Sequence, residues 1–243
     1  MITVSVIVPT YNEEATIIEI LGRIAAQKIE DVGFEVLVVD DGSSDRTVEL
    51  LEESPGLYSK LIKRAINGGK GAAVRAGLKA ASGDYVLFQD ADLEYDPADY
   101  GNLLRPVIEF NADIVMGSRL VAAPITRVSY FWHKVGNRLI TFSFNILNNT
   151  TFTDVYSCYL LYRRELVNVD SLATDGWEQQ AEILSNAVAK ARKMFEVPIR
   201  YYGRTYAEGK KIKGHHAAAV LWTIAWQRIV RCGCRREFNT RTR

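Results

Sequence analysis

Two acids one residue apart, Asp90 and Asp92, stand at the end of the hydrophobic run Tyr85-Val86-Leu87-Phe88. The run is short, β-branched and aromatic, and it follows the turn Ser82-Gly83-Asp84, so it reads as a buried strand. The carboxylates then fall where the strand leaves the sheet, which in open α/β sheets is where ligands bind. Paired carboxylates make a poor core. They make a good ligand set for a hard divalent cation, which completes its shell with water and phosphate oxygens. That chemistry belongs to nucleotide-linked substrates. The triplet by itself is also an ordinary solvated loop, so its surroundings have to decide.

The surrounding elements alternate. Residues 4–8, 34–39, 58–64, 85–89 and 112–116 read as strands, and 13–27, 46–52, 71–81 and 97–109 as helices. Ile17, Ile20, Leu21 and Ile24 recur at helical spacing, Ser43-Ser44-Asp45 offer caps for the second helix, and Pro97 opens the fourth. Such alternation with short connections predicts an α/β fold around a mostly parallel sheet with right-handed crossovers. The second half is less regular: an amphipathic helix over 128–147, a strand over 155–162, a helix over 178–191 and a strand over 194–201. Neither linker nor repeat divides the chain. It reads as one continuous domain over 1–213, followed at 214–243 by an amphipathic, basic helix and tail.

Composition narrows the class. With 243 residues, 48% hydrophobic, the chain is long enough for a sizeable core, and a net charge of +1 gives no reason to expect a nucleic-acid partner. The amino terminus runs straight into a strand without a secretory pattern, and no apolar run is long enough to span a bilayer. Cys158, Cys232 and Cys234 suggest neither a disulfide framework nor a zinc site, and His133, His215 and His216 have no metal spacing. These features predict a cytoplasmic protein.

Further polar clusters follow the strands: Pro9-Thr10-Tyr11-Asn12-Glu13, Asp40-Asp41-Gly42-Ser43 and Gly117-Ser118-Arg119. A parallel sheet brings them to the same edge as Asp90-Ala91-Asp92. The turn Asn67-Gly68-Gly69-Lys70-Gly71 lacks the spacing of a nucleotide-hydrolase P-loop. A glycine-rich turn feeding a helix can still offer N–H groups to an anion, and Lys70 reads equally as a phosphate partner or a surface lysine.

Taken in order, these motifs resemble family 2 glycosyltransferases of the GT-A fold, and most of all the dolichyl- or polyprenyl-phosphate mannose and glucose synthases. Thr153-Asp154, Gln180-Ala181-Glu182, Glu196-Val197-Pro198 and Gly203-Arg204 extend the resemblance to about Lys213. It implies an inverting transfer of a hexose from GDP-mannose or UDP-glucose to a polyprenyl or dolichyl phosphate. The alternatives are a soluble sugar or polysaccharide acceptor, or a nucleotidyltransferase.

The resemblance also assigns roles. Pro9, Tyr11, Glu13 and Asp40 would line the base pocket, with Asp41 beside it. Asp90 and Asp92, flanking Ala91, would bind ribose and, through Mg²⁺ or Mn²⁺, the diphosphate, with Glu94 as a further metal-facing group. Arg119 and Arg204 would pair with phosphate oxygens, where a guanidinium binds bidentately. Lys70 would join them at the donor, and Lys210 and Lys211 would help close a loop over it. Asp154 and Glu182 are the best non-metal acids, either as a base, as acceptor orienters, or as scaffold partners of the arginines. Lys134 and Arg138 would meet the acceptor phosphate, or else snorkel on an interfacial helix. Trp222 and Trp226 ahead of Arg228, Arg231, Arg235 and Arg236 suit a lipid–water boundary, which predicts peripheral attachment to the cytoplasmic face of a membrane.

Overall fold

The computed structural model describes residues 1–121, 131–204 and 216–241, with side chains over 217–229 in the last of these stretches. At its centre is β1 (Ile2–Thr10), flanked in parallel by β2 (Val32–Asp40) and β4 (Tyr85–Phe88). Val4, Val6, Ile7 and Val8 are all fully buried, because helices cover both faces of the sheet. β3 (Lys60–Lys63), β5 (Ile114–Ser118), β6 (Leu160–Arg163) and β7 (Met194–Pro198) complete the order β3-β2-β1-β4-β6-β5-β7. Every pairing is parallel except those of β6, which runs antiparallel to both β4 and β5. This is the mostly parallel, helix-flanked sheet that the sequence predicts.

The helices are α1 (Ile17–Ala25), α2 (Thr47–Glu53), α3 (Lys70–Ala80), α4 (Tyr100–Phe110), α5 (Phe131–Asn148), α6 (Gln179–Val188) and α7 (His216–Arg241). The small residues of α3 have a packing reason. A Cβ on Gly77 would come within 2.5 Å of the Ile7 side chain, so only glycine lets this helix lie so close to β1. α5 and α6 both pack against α7.

Two boundaries differ from the sequence reading. α1 begins at Ile17 rather than Glu13, because residues 12–14 are tied to the loop after β2 instead. The Glu13 N–H donates to Thr47 Oγ1 (3.0 Å) and the Glu14 N–H to Asp45 (3.2 Å). The strand predicted over 155–162 survives only as β6. Backbone groups of 155–159 turn to other partners: the Val155 N–H donates to Thr141 Oγ1 and the Cys158 N–H to Tyr95 Oη. The apolar signal there reports burial rather than strand pairing.

Candidate active site

A cavity of about 590 Å³ opens at the carboxyl ends of β1, β4 and β5, beside the point where the chain crosses from one half of the sheet to the other. Pro9, Tyr11 and Glu13 line it from the end of β1, Asp41 from β2, Asp90, Ala91 and Asp92 from β4, and Arg119 from β5. Lys70, Glu94 and Arg204 complete its polar wall. Asp40 is buried just behind that wall. Its Oδ2 accepts from the N–H groups of Gly42 and Ser43 (both 3.1 Å), and its Oδ1 has no hydrogen-bond partner among the described residues.

The glycine-rich turn is fixed by Asp41. Its carboxylate accepts from the N–H groups of Gly68 (3.2 Å) and Gly69 (2.8 Å) and from Arg64 Nη1. Gly69 has φ +89°, a left-handed conformation suited to glycine. These N–H groups therefore serve the fold and are not offered to an anion. Lys70 is no surface lysine: its Nζ lies 2.5 Å from Asp90 Oδ1 and 5.3 Å from the centre of the Trp177 ring. Burial would lower its pKa, but the Asp90 carboxylate raises it above the ordinary lysine range.

Asp92 accepts through Oδ1 from the Glu94 N–H (3.1 Å). Its pKa is pushed up to about 7, first by burial and then by the charges of Asp90 and Glu94. Glu94, expected to face a metal, is taken up elsewhere: it accepts from Tyr201 Oη (2.8 Å) and from the Arg204 N–H (2.6 Å). Among the described residues no three acidic, His or Cys side chains converge as a metal cluster. Asp90 and Asp92 thus offer two carboxylates on one cavity wall, a donor set that fits a hard cation sharing its shell with diphosphate oxygens.

The raised Asp92 pKa has a definite sign. Below the ordinary carboxylate range both folded and unfolded states hold the proton, and stability is undiminished. As pH rises towards 7 the unfolded state ionises first and the folded state loses stability. Asp92→Asn should therefore be more stable than the parent at pH 8, with the difference vanishing near pH 4, as read by thermal melts. Because a ligand must be ionised, Mn²⁺ should raise the parent's melting temperature more at pH 8 than at pH 5.5.

Arg119 is aimed by Asp154. Its Nε and Nη2 donate to the two carboxylate oxygens (2.7 and 2.8 Å), its N–H donates to Oδ2 (3.1 Å), and Nη2 also reaches the Tyr156 carbonyl (3.0 Å). The guanidinium lies 5.0 Å from the Tyr201 ring centre. Asp154 is fully buried and also accepts from Asn137 Nδ2 (2.8 Å). Burial would raise its pKa, but the Arg119 charge and these hydrogen bonds hold it below the usual carboxylate range. Arg204 donates to the Asp92 carbonyl (2.5 Å) and reaches Glu13 at 3.4 Å.

A family model for glycosyl transferase family 2 matches residues 5–169. The chain belongs to glycosyltransferase family 2. It is 33% identical over 214 residues to a dolichol-phosphate mannosyltransferase of Pyrococcus furiosus, covering 87% of this chain and 59% of that protein. It is 31% identical over 212 residues to an undecaprenyl-phosphate 4-deoxy-4-formamido-L-arabinose transferase of Aeromonas hydrophila, covering 85% and 62%. The chain thus spans about 60% of the length of these relatives. Among solved structures it resembles glucosyl-3-phosphoglycerate synthase of Mycobacterium tuberculosis in complex with Mn²⁺, UDP-glucose and phosphoglyceric acid. That match has a TM-score of 0.69 at 22% identity, over 93% of this chain and 80% of that one. The fold is GT-A.

In this family 2 chain, several predicted site residues stand off the cavity. Asp154 backs the wall through Arg119. Glu182 is fully buried, accepting from the N–H groups of Ala173 and Thr174 (both 3.0 Å), from Thr174 Oγ1 (2.6 Å) and from Gln227 Nε2 (3.1 Å). Of the roles left open for these two acids, the geometry realises the scaffold one, with Glu182 tying a loop to α6 and α7 rather than pairing with an arginine. Lys134 and Arg138 are exposed and off the cavity wall; the face of α5 that lines it carries Trp132, His133, Gly136, Asn137 and Ile140. Lys210 and Lys211 lie outside the described residues. Trp177, Tyr156 and Tyr201 also line the cavity, and no spacing in the sequence marks them.

Proposed function

We propose that this chain transfers a hexose, with inversion, from a nucleoside diphosphate sugar such as GDP-mannose or UDP-glucose to a polyprenyl or dolichyl phosphate at a membrane surface. The observation that carries the reading is the two-ended character of the cavity. One end holds the acids, Lys70 and the arginines; the other is lined by Trp132, Ile140, Ile183 and Val220, where α5, α6 and α7 meet. The names of the relatives, which act on dolichol phosphate and undecaprenyl phosphate, support the same acceptor class.

Each residue then has a task. The buried Oδ1 of Asp40, unpartnered among the described residues, suits an N–H of the nucleobase, and Tyr11, 39% exposed on the cavity wall, suits its face. A bound Mg²⁺ or Mn²⁺, held by Asp90 and Asp92, would supply Lewis-acid stabilisation of the leaving diphosphate. Arg119 and Arg204 are held in place before the reaction, so they stabilise the charge that builds as the anomeric C–O bond breaks. The electron pair of that bond leaves with the diphosphate, while an acceptor phosphate oxygen bonds to the opposite face of the anomeric carbon. A phosphate acceptor is already an anion at neutral pH and needs no base. This suits a site whose two best candidate bases, Asp154 and Glu182, are locked in scaffold contacts. Nucleoside diphosphate release should depend on added polyprenyl phosphate; release of pyrophosphate instead would favour a nucleotidyltransferase.

The membrane part of the reading rests on two exposed apolar stripes. On α5, Phe131, Val135, Leu139, Phe142 and Ile146 follow helical spacing, and on α7 so do Trp222, Trp226 and Ile229. Water-facing apolar surface on this scale marks a binding face. The exposed Lys134 and Arg138 beside it suit anionic headgroups better than the acceptor phosphate. Among the described residues no helix is long and apolar enough to cross a membrane. Replacing Trp222 and Trp226 together by Ser should weaken flotation with anionic vesicles by about tenfold or more, given roughly 1.5–3 kcal/mol for burying one large apolar side chain. Unchanged flotation would remove α7 from the membrane contact.

A further inference from the structure

Lys70 already occupies, as a cation, the carboxylate that a divalent ion needs. Its ammonium sits 2.5 Å from Asp90 Oδ1, inside the cavity and not at its rim. The backbone beneath it has no slack. Asp41 holds the N–H groups of Gly68 and Gly69, the Ala72 N–H donates to the Asp175 carbonyl (3.2 Å), and a Cβ on Gly71 would lie 2.4 Å from the Asp175 carbonyl carbon. Only the flexible stem of the lysine is free to swing. The face of Trp177, on the segment that follows Asp175, already lies 5.3 Å from the ammonium and stays within its reach when the lysine leaves Asp90.

Electrostatics argues that the swing is needed. With Lys70 on Asp90, a metal ion entering alone meets an adjacent positive charge and a carboxylate already paired. With a nucleoside diphosphate present, the ammonium gains an anionic partner and Asp90 is released. We propose that Lys70 is an exchangeable counter-ion, holding Asp90 in the ligand-free protein and yielding it to the divalent ion as the donor diphosphate takes up the lysine charge. The proposal rests on the donor-site reading above. It makes metal and diphosphate binding mutually reinforcing, since coupling between two ligands is reciprocal.

The test is Mn²⁺ binding, read as free Mn²⁺ by electron paramagnetic resonance, with and without GDP or UDP, in the parent and in Lys70→Met. The variant should bind Mn²⁺ alone at least tenfold more tightly than the parent, and the gain produced by the nucleotide should shrink. Mn²⁺ affinity no tighter than the parent's overturns the exchange while leaving the donor site standing, provided the parent binds Mn²⁺ with nucleotide. A parent that binds Mn²⁺ under neither condition overturns both. On the unmutated protein, saturating Mn²⁺ should raise acylation of Lys70 by an amine-reactive ester severalfold, as read by peptide mass spectrometry. Unchanged labelling overturns the exchange without recourse to a variant.

Discussion

Asp92→Asn should lower turnover by about 10²–10³, the cost typical of removing one preorganised electrostatic contact to a transition state. The substitution is close to isosteric, and an asparagine oxygen can still accept the Glu94 N–H that Oδ1 accepts in the parent. What it removes is the charge, and with it half of the carboxylate pair offered to the cation. The loss should persist at saturating Mn²⁺ and donor, appearing in kcat as well as in kcat/KM. It should also come with greater stability at pH 8, because the carboxyl removed is one that burial, Asp90 and Glu94 disfavour when ionised. A folded variant with activity within twofold of the parent would take the acid pair out of the mechanism.

Asp154→Ala should damage both fold and turnover. Arg119 is mostly buried, its side chain 18% exposed, and Asp154 is its only ion-pair partner among the described residues. Breaking a buried pair from one side leaves an uncompensated charge and costs about 3–5 kcal/mol. The guanidinium also loses the two-point grip that aims it into the cavity, so kcat should fall about 10²-fold even in the fraction that folds. Urea denaturation and steady-state kinetics read the two effects separately. Asp154→Asn, which keeps the shape and one acceptor, should recover part of the stability. A general base at this position would give a different pattern, with Asn as inactive as Ala and stability little changed.

Much of the cavity's polar wall was legible because its signals are local. Val-rich runs at 4–8 and 36–39, helical spacing at Ile17, Ile20, Leu21 and Ile24, and polar clusters after β1, β2, β4 and β5 need no distant partner to be read. The reversal of β6 was not legible, since a short run such as Leu160-Leu161-Tyr162 carries no strand direction. Nor was the fate of two acids, because it depends on partners far along the chain. Glu94 answers to Tyr201 and Arg204, more than 100 residues away, and Asp154 to Arg119 across 35. The amphipathic pattern of α5 was clear, but it does not say which face meets the cavity. Lys134 and Arg138 fall on the wrong one for a role inside it, whereas His133 and Asn137 fall on the right one. Lys70, evenly balanced from sequence, is decided by Asp90 and Trp177, which only the fold brings beside it.

The proposed reaction joins a nucleotide-bound sugar to a lipid phosphate at one site. It is tested most directly by incubating the protein with radiolabelled GDP-mannose and UDP-glucose in turn, Mg²⁺ or Mn²⁺, and vesicles containing polyprenyl phosphate, then extracting with organic solvent. Label from one donor should enter the organic phase, chelation with EDTA should abolish this, and Asp92→Asn should reduce it at least a hundredfold. Label that stays in the aqueous phase with every donor, while nucleoside diphosphate is released and the sugar passes to an added water-soluble acceptor, would contradict it.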